Sequence, residues 1–407
     1  EGALWGSVTQ RAVDCFPLRG DKTLGDYPEL VAALLEVKLA AATANMKAGE
    51  LDRDRFAAIN EALASLLPSP PKEHVPVHCL HGGGGVSANM NVNEVVANLA
   101  NRALGAPLGS AAPVHPNDHV NLSQSTNDVY PTACRVAVIE AYRTDLEAAL
   151  AELEQGFVEV AERWSAAPHL ARTCLQDAVP ITFADLFGGY ASLVARARER
   201  IAAAVERLHA VSLGGTIVGR AEDAPRRYRE LVVEELRRAT GDEAFHLAAD
   251  LFDAAQNPDD LVAAGAALGL TARGLVKVAK DLRLLASGPE AGLAEIRLPA
   301  VQPGSSSMPG KVNPAVPEFL IQQCLQVVGR QGALEMTLDH GELDLNVWES
   351  VIVVNLLEMT RGLASGVTVF RERCLAGLEV DLVRSRAAVE TVIPLLVELT
   401  KRHGYAR

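Results

Sequence analysis

Apolar residues at Ile139, Tyr142, Leu146, Leu150, Leu153, Phe157 and Val160 are separated by steps of 3, 4, 4, 3, 4 and 3. That spacing lays them along one face of a helix. The pattern opens at Pro131 and predicts a helix of more than about thirty residues, beyond the usual globular length. A second long helical pattern runs from Pro258 to about Ser287 and stops at Gly288-Pro289. Others cover about 182–211 and 315–338, and a further one follows Asn346. Near the start, Asp26 with Glu29 forms a capping-box pattern and Pro28 suits a first turn. That helix should end near Lys47, at Gly49. Residues 1–25 read as irregular and 66–90 as loop, with Pro68, Pro70, Pro71 and Pro76 ahead of Gly82–Gly85. The central region shows no convincing strand alternation. The pattern predicts a mostly α protein built on a long helical bundle.

Composition agrees with that picture. Apolar residues make up 49% of the 407 positions and aromatics only 4%, which suits close-packed helices better than a β-sandwich. The net charge of −13, without a Lys/Arg block, argues against a nucleic-acid partner. It also means that an anionic substrate has to be held by local positive groups. The six cysteines are scattered without a C-x-x-C pair and read as reduced thiols of a cytoplasmic protein. No apolar run of spanning length and no signal peptide stand out, so no membrane is expected. The chain starts at Glu1 rather than Met, which leaves room for a short leader ahead of it. The histidines form no H-x-x-x-H or His/Cys cluster, so neither metal nor cofactor is expected.

Candidate chemistry concentrates in residues 303–318, PGSSSMPGKVNPAVPE. Pro303-Gly304 and Pro309-Gly310 favour turns. Small hydroxyls and backbone N–H groups beside a single lysine make a loop able to wrap a small anion. A serine there can act as a base if nearby positive charge stabilises its ionised form. A flexible Ser/Gly linker is the bland alternative. The interspersed Met308, Val312, Val316 and Phe319, and the helical patterns on both sides, weigh against it. The four glycines at 82–85 are not followed by Gly-Lys-Ser/Thr, so a bend or close backbone approach is the better reading than a phosphate loop.

The loop closely resembles the signature G-S-S-x-M-P-x-K-x-N-P of the aspartase/fumarase superfamily, matched from Gly304 to Pro314. Further segments resemble the family in order: WGSVTQRA at 5–12, NMNVNEV at 89–95, HPNDH and SQSTND between 115 and 128, RTCLQDAVP at 172–180, and LGGTIVG at 213–219. The resemblance also takes in 281–318 and 341–357. It implies three mostly helical domains, here 1–124, 125–373 and 374–407, with the central one long-helical. It further implies a homotetramer with a twenty-helix core and active sites shared by three subunits. Each site would gather the 84–127 region, the 173–177 region and the 303–313 loop. The implied reaction is β-elimination from a substituted succinate to give fumarate, through an aci-carboxylate intermediate. By resemblance Ser305 is the base, Lys311 and Asn313 hold a substrate carboxylate, and Ser306 assists with the intermediate. Ser125, Thr126 and Asn127 contact carboxylate and leaving group, Thr126 being the aspartase-like choice. The same residues also suit an N-cap. His115, Asn117 and Asp118 resemble the accessory anion site described in fumarases, or else form a plain turn.

Three positions depart from the family pattern. Cys174 replaces the histidine of R-T-H-L-Q-D, the residue that pairs with the glutamate matched by Glu318, while Thr173 beside it is retained. Unperturbed His titrates near ~6.5 and Cys near ~8.5, so a thiol cannot carry the same positive charge. Val86 stands where a threonine contacts the leaving group, and Arg220 where a small residue is usual. All three lie on the leaving-group side, whereas the carboxylate and base side is intact. An aspartase-like C–N lyase is the default expectation. The alternatives are a lyase for an N-substituted aspartate or nitrosuccinate, a fumarase-like hydratase, and a non-catalytic crystallin-like homologue.

Overall fold

The computed structural model describes residues 2–405 and is mostly helical, with 64% of the chain in helices. It divides into two compact units. The first runs up to Tyr142 and adds Ala203–Ala266 and Arg330–Glu358; the second comprises Arg143–Ala202, Ala267–Gly329 and the remainder from Met359.

The first unit is organised on the helix Pro28–Ala48. Most of its length is buried, including Leu30, Val31, Leu34, Leu35 and Val37, with small Ala40, Ala41, Ala42 and Ala44 where other helices approach. It packs against the helices Arg53–Leu66, Thr126–Ala141 and Arg226–Thr240. Gly49, at φ 83°, closes it as expected, with its N–H on the carbonyls of Asn45 and Met46. The expected Asp26/Glu29 capping box does not form. The Asp26 carboxylate instead accepts from the backbone N–H and hydroxyl of Thr23, and Tyr27 caps the helix without a side-chain bond.

Residues 1–25 are not wholly irregular, because Ser7–Cys15 is helical. The cause lies far along the chain, in the buried Glu94 of the helix Val86–Ala103. Its carboxylate accepts from the N–H groups of Gly6, Val8 and Thr9 at 2.8, 2.9 and 3.0 Å and from the Thr9 hydroxyl at 2.6 Å. An anion thus satisfies the orphan donors of a helix start that lacks a local cap.

In the second unit, Phe157 of Glu147–Arg163, Phe187 and Tyr190 of Phe183–Glu206, and Phe370 of Glu349–Phe370 form one aromatic cluster. The Tyr190 hydroxyl donates to Asp281 on the helix Asp259–Leu285 at 2.7 Å. Gly366 lies where a methyl group would come within 3.1 Å of Leu320, so Ala315–Glu335 approaches closely there.

The long helical patterns of the sequence are realised, with two differences. Helix begins at Thr126 rather than Pro131 and continues through a π-helical segment, Tyr142–Leu146, to Arg163. Pro131 lies inside it and costs one bond, to the Asn127 carbonyl. The central region also contains strands: Pro168–Thr173 and Gln176–Thr182 form an antiparallel hairpin. In addition, Asp259–Leu285 and Glu349–Leu375 are long and apolar enough to cross a membrane by length and composition, a test that buried core helices also pass. Of their apolar windows 61% and 56% is buried inside the protein, as expected of core helices in a bundle.

Candidate active site

In the first unit the segment Ser125-Thr126-Asn127 opens the helix Thr126–Ala141. Ser125 is its N-cap, accepting from the Asn127 N–H at 3.2 Å, and Asp128 returns the capping box by accepting from the Ser125 N–H at 3.0 Å. The N-cap reading of these residues therefore holds. Thr126 Oγ1 accepts from Asn89 Nδ2 at 3.0 Å, and Asn127 Nδ2 donates to the Ile217 carbonyl at 2.9 Å.

Beneath the segment lies a buried polar network that sequence reading did not single out. Asn121 Oδ1 receives Asn89 Nδ2 at 3.1 Å, Asn93 Nδ2 at 3.2 Å and Lys38 Nζ at 2.8 Å. Lys38 is fully buried in the otherwise apolar Pro28–Ala48 helix and also donates to Gln124 Oε1 at 2.9 Å. Burial pulls its pKa down to about 7. The one advance signal was a charge inside a buried apolar run, which is rare without partners.

Gly83, Gly84 and Gly85 all have positive φ, and a methyl group on Gly85 would collide with the buried Tyr130 ring. The close-approach reading of these glycines is correct. They deliver Val86, 44% exposed, as the first residue of its helix. Arg220 is exposed and ion-pairs with Glu222 at 3.6 Å. His115 Nδ1 accepts from the N–H groups of Asn117 and Asp118 at 3.3 and 3.1 Å and lies 3.4 Å from the Asp118 carboxylate. These three residues build a turn that starts the π-helical segment Pro116–Val120.

The second unit carries the rest. Thr173 ends one hairpin strand and pairs with Gln176. The two turn residues are Cys174 and Leu175, with φ 53° and 62°. A two-residue turn with both φ positive has the twist of a type I′ hairpin, but here without the usual Asn or Gly. Cys174 and Leu175 are both exposed. At the hairpin base the buried Glu295 binds His169 Nδ1 at 3.0 Å and the Arg172 guanidinium. Those partners hold its carboxyl below the usual range against the opposing effect of burial.

The 303–314 segment is a closed loop. Gly304 N–H donates to the Lys311 carbonyl at 2.9 Å, and Asn313 Nδ2 to the Gly304 carbonyl at 2.8 Å. A methyl group on Gly304 would lie 2.8 Å from the Asn313 nitrogen, so only glycine closes the ring. Inside it, Ser305 Oγ accepts from the N–H groups of Ser307 and Met308, both at 3.2 Å. Two amide donors aimed at one hydroxyl oxygen favour its ionised form. Ser306 is exposed. The Lys311 ammonium is exposed and has no ion-pair partner among the described residues. A cavity of about 820 Å³ is lined in part by Lys311, Asn313, Arg297 and Arg384. Glu318, in the first turn of the next helix, pairs with Arg283 at 3.1 Å. Among the described residues no group of three or more His, Cys, Asp or Glu is placed to hold a metal ion.

The chain is a long helical fold with an amide-cradled serine and a lysine on one closed loop, and its likeness to known proteins gives its class, a lyase. A family model described as lyase matches residues 1–329. The chain is 41% identical over 404 residues to the aspartate ammonia-lyase of Pseudomonas canavaninivorans, covering 99% of this chain and 85% of that protein. It is 39% identical over 406 residues to a class II fumarate hydratase of Pseudomonas aeruginosa, covering 100% and 86%. The fumarate lyase:delta crystallin structure from Brucella melitensis bound to cobalt superposes with a TM-score of 0.96 at 42% identity, covering 100% of this chain and 88% of that one. Recombinant class II fumarase from Schistosoma mansoni superposes with a TM-score of 0.95 at 30% identity, covering 100% and 87%. The protein belongs to the aspartase/fumarase superfamily of lyases. Members act on small dicarboxylates and are generally oligomeric.

Proposed function

We propose that the protein catalyses β-elimination from a substituted succinate to fumarate, as an aspartase-like C–N lyase. The observation that carries this reading is Ser305 Oγ under two backbone N–H groups at 3.2 Å, in the loop that also bears Lys311. Ionised Ser305 removes a proton from the carbon next to one carboxylate. The electron pair moves onto that carboxylate, giving the aci-carboxylate, which Lys311, Asn313 and Ser306 steady with positive charge and hydrogen bonds. The pair then returns to form the C=C bond as the leaving group departs from the adjacent carbon. Ser125, Thr126, Asn127 and Thr173 hold the other end of the substrate.

A second reading differs only in the leaving group, and four positions favour it. Cys174 sits exposed at the hairpin tip where the family has histidine, and Glu318 is engaged by Arg283. Val86 adds no hydroxyl, while Arg220 adds a cation. A bulkier or less basic group than ammonia, as in an N-substituted aspartate or nitrosuccinate, suits such surroundings. The fumarase-like hydration and the crystallin-like structural role stand behind these.

The test is a panel of aspartate, malate, N-substituted aspartates and nitrosuccinate, followed by the ultraviolet absorbance of fumarate. Turnover of aspartate supports the first reading, and preference for a substituted member supports the second. No fumarate from any member would leave the structural role. The homotetramer, sites shared by three subunits, the division at 124 and 373, and a cytoplasmic location belong to the same reading. A monomer by light scattering at micromolar concentration would contradict the shared site.

A further inference from the structure

Asp128 is buried to 1% exposure, and its two oxygens serve two distant parts of the first unit. Oδ1 accepts from the Ser125 N–H at 3.0 Å. Oδ2 accepts from Gly214 N–H and Thr216 N–H, both at 2.9 Å. Asn127, the adjacent residue, adds its side-chain bond to the Ile217 carbonyl at 2.9 Å. Three hydrogen bonds therefore join the start of this helix to the 214–217 turn, two of them on the Asp128 carboxylate, whose other oxygen holds Ser125. Gly214 takes φ 95° as a glycine can, but Thr216 has φ 56°, which a β-branched residue does not favour.

We infer that Asp128 is a positioning residue of the elimination reaction: it clamps the 214–217 turn to the substrate-binding segment, so that the Asn127 side chain and the Thr126 hydroxyl meet the substrate in a fixed geometry. The inference rests on the reading that Ser125–Asn127 touch substrate. A capping carboxylate needs only the Ser125 bond. The two bonds to Gly214 and Thr216 serve no helix terminus, and they are what ties the turn to the site. Two ionisable groups face Asp128: Lys38 from the Pro28–Ala48 helix, which favours its charge, and Tyr228 from the Arg226–Thr240 helix. Burial pushes the Asp128 carboxyl up to about 6, so it is charged at neutral pH and accepts all three N–H bonds. An asparagine there keeps the shape but can accept on one atom only. Its NH₂ group would face either the Ser125 N–H or the pair from Gly214 and Thr216.

The experiment compares Asp128→Asn and Asn127→Ala by fumarate formation and by competitive inhibition with succinate, which has no leaving group. Asp128→Asn should weaken succinate about tenfold or more, with kcat falling less than KM rises and with an unchanged circular dichroism spectrum. Asp128→Glu, which restores the charged acceptor at a longer reach, should recover part of the loss. If Asn127→Ala changes neither readout, the substrate reading itself fails. If Asn127→Ala weakens succinate and Asp128→Asn does not, the clamp is refuted. Should Asp128→Asn fail to fold, hydrogen exchange on the unaltered enzyme decides. Succinate should slow exchange in 213–219 together with 123–128. Protection of 123–128 alone overturns the inference.

Discussion

Replacing Ser305 with alanine tests the centre of the proposed chemistry. The hydroxyl oxygen accepts two backbone N–H bonds at 3.2 Å, and the loop that supplies them is closed by Gly304 and Asn313. A hydrogen bond to a charged oxygen exceeds one to a neutral oxygen by about 1 kcal/mol, so the pair favours the ionised serine by about 2 kcal/mol. At about 1.4 kcal/mol per factor of ten, that is somewhat more than one power of ten in the population of the base. A positioned general base contributes typically about 10²–10⁴-fold. Ser305→Ala removes that base and should lower kcat by about that factor. KM should change little, because Lys311 and Asn313 remain in place. Fumarate absorbance measures turnover. Deuterium uptake from solvent into recovered substrate, read by NMR, isolates the proton-abstraction step and should vanish in the variant. Folding should be unaffected, since the Ser305 hydroxyl bonds only within the exposed loop. Ser305→Cys keeps an acidic group under the same donors and should retain more exchange than alanine does. Retention of more than about a tenth of the parent rate by Ser305→Ala would refute the assignment.

Three further outcomes are expected. Cys174→His should raise kcat/KM for aspartate or malate relative to the best panel substrate, by the worth of one charge-assisted bond, at most about 1.5–3 kcal/mol; adding Val86→Thr should gain more than the sum of the singles if both touch one substrate group, and an unchanged ranking in all variants would make both positions bystanders. Gly85→Ala should destabilise the protein by about 2–5 kcal/mol, because the residue has φ 86° and its new methyl would strike the buried Tyr130 ring; urea denaturation measures it, and a loss below about 1 kcal/mol would contradict the packing. Glu349, 5% exposed, has its carboxyl pushed by burial from 4.5 up to about 7, so the folded state holds its proton more tightly and the stability this confers, full below pH 4.5, is lost as pH rises through 7. Glu349→Gln should therefore stabilise the protein at pH 8 by at most about 3 kcal/mol relative to its effect at pH 4, and equal effects at both pH values would contradict that burial.

Much of the local geometry of the candidate site was legible because it is set by near neighbours. Gly304 to Pro314 specify their own turns, and the short loop they close sets Ser305 under the amides of Ser307 and Met308 two and three residues on. Ser125 and Asp128 form a capping box whose spacing is visible in the sequence, and Gly49 ends its helix as an unsupported Cβ-free residue should. The long helices were legible too, because a 3.6-residue period repeated over many turns outweighs local exceptions. What the sequence alone could not determine depends on partners far along the chain. The Ser7–Cys15 helix owes its start to Glu94, some eighty residues away. The hairpin at 168–182 turns on Cys174-Leu175, which carries no Gly or Asn to announce positive φ, so only the pairing of its two strands reveals it. Lys38 shows in the sequence only as a charge within an apolar helix, and the fold supplies its partners Asn121 and Gln124. Asp128 appears in the sequence only as the last residue of the SQSTND segment, and only the fold brings Gly214 and Thr216 to its second oxygen. Periodicity and turn chemistry act between near neighbours and can be read in order. A buried charge is satisfied by whichever donors the packed chain delivers, and that is decided only by the tertiary structure.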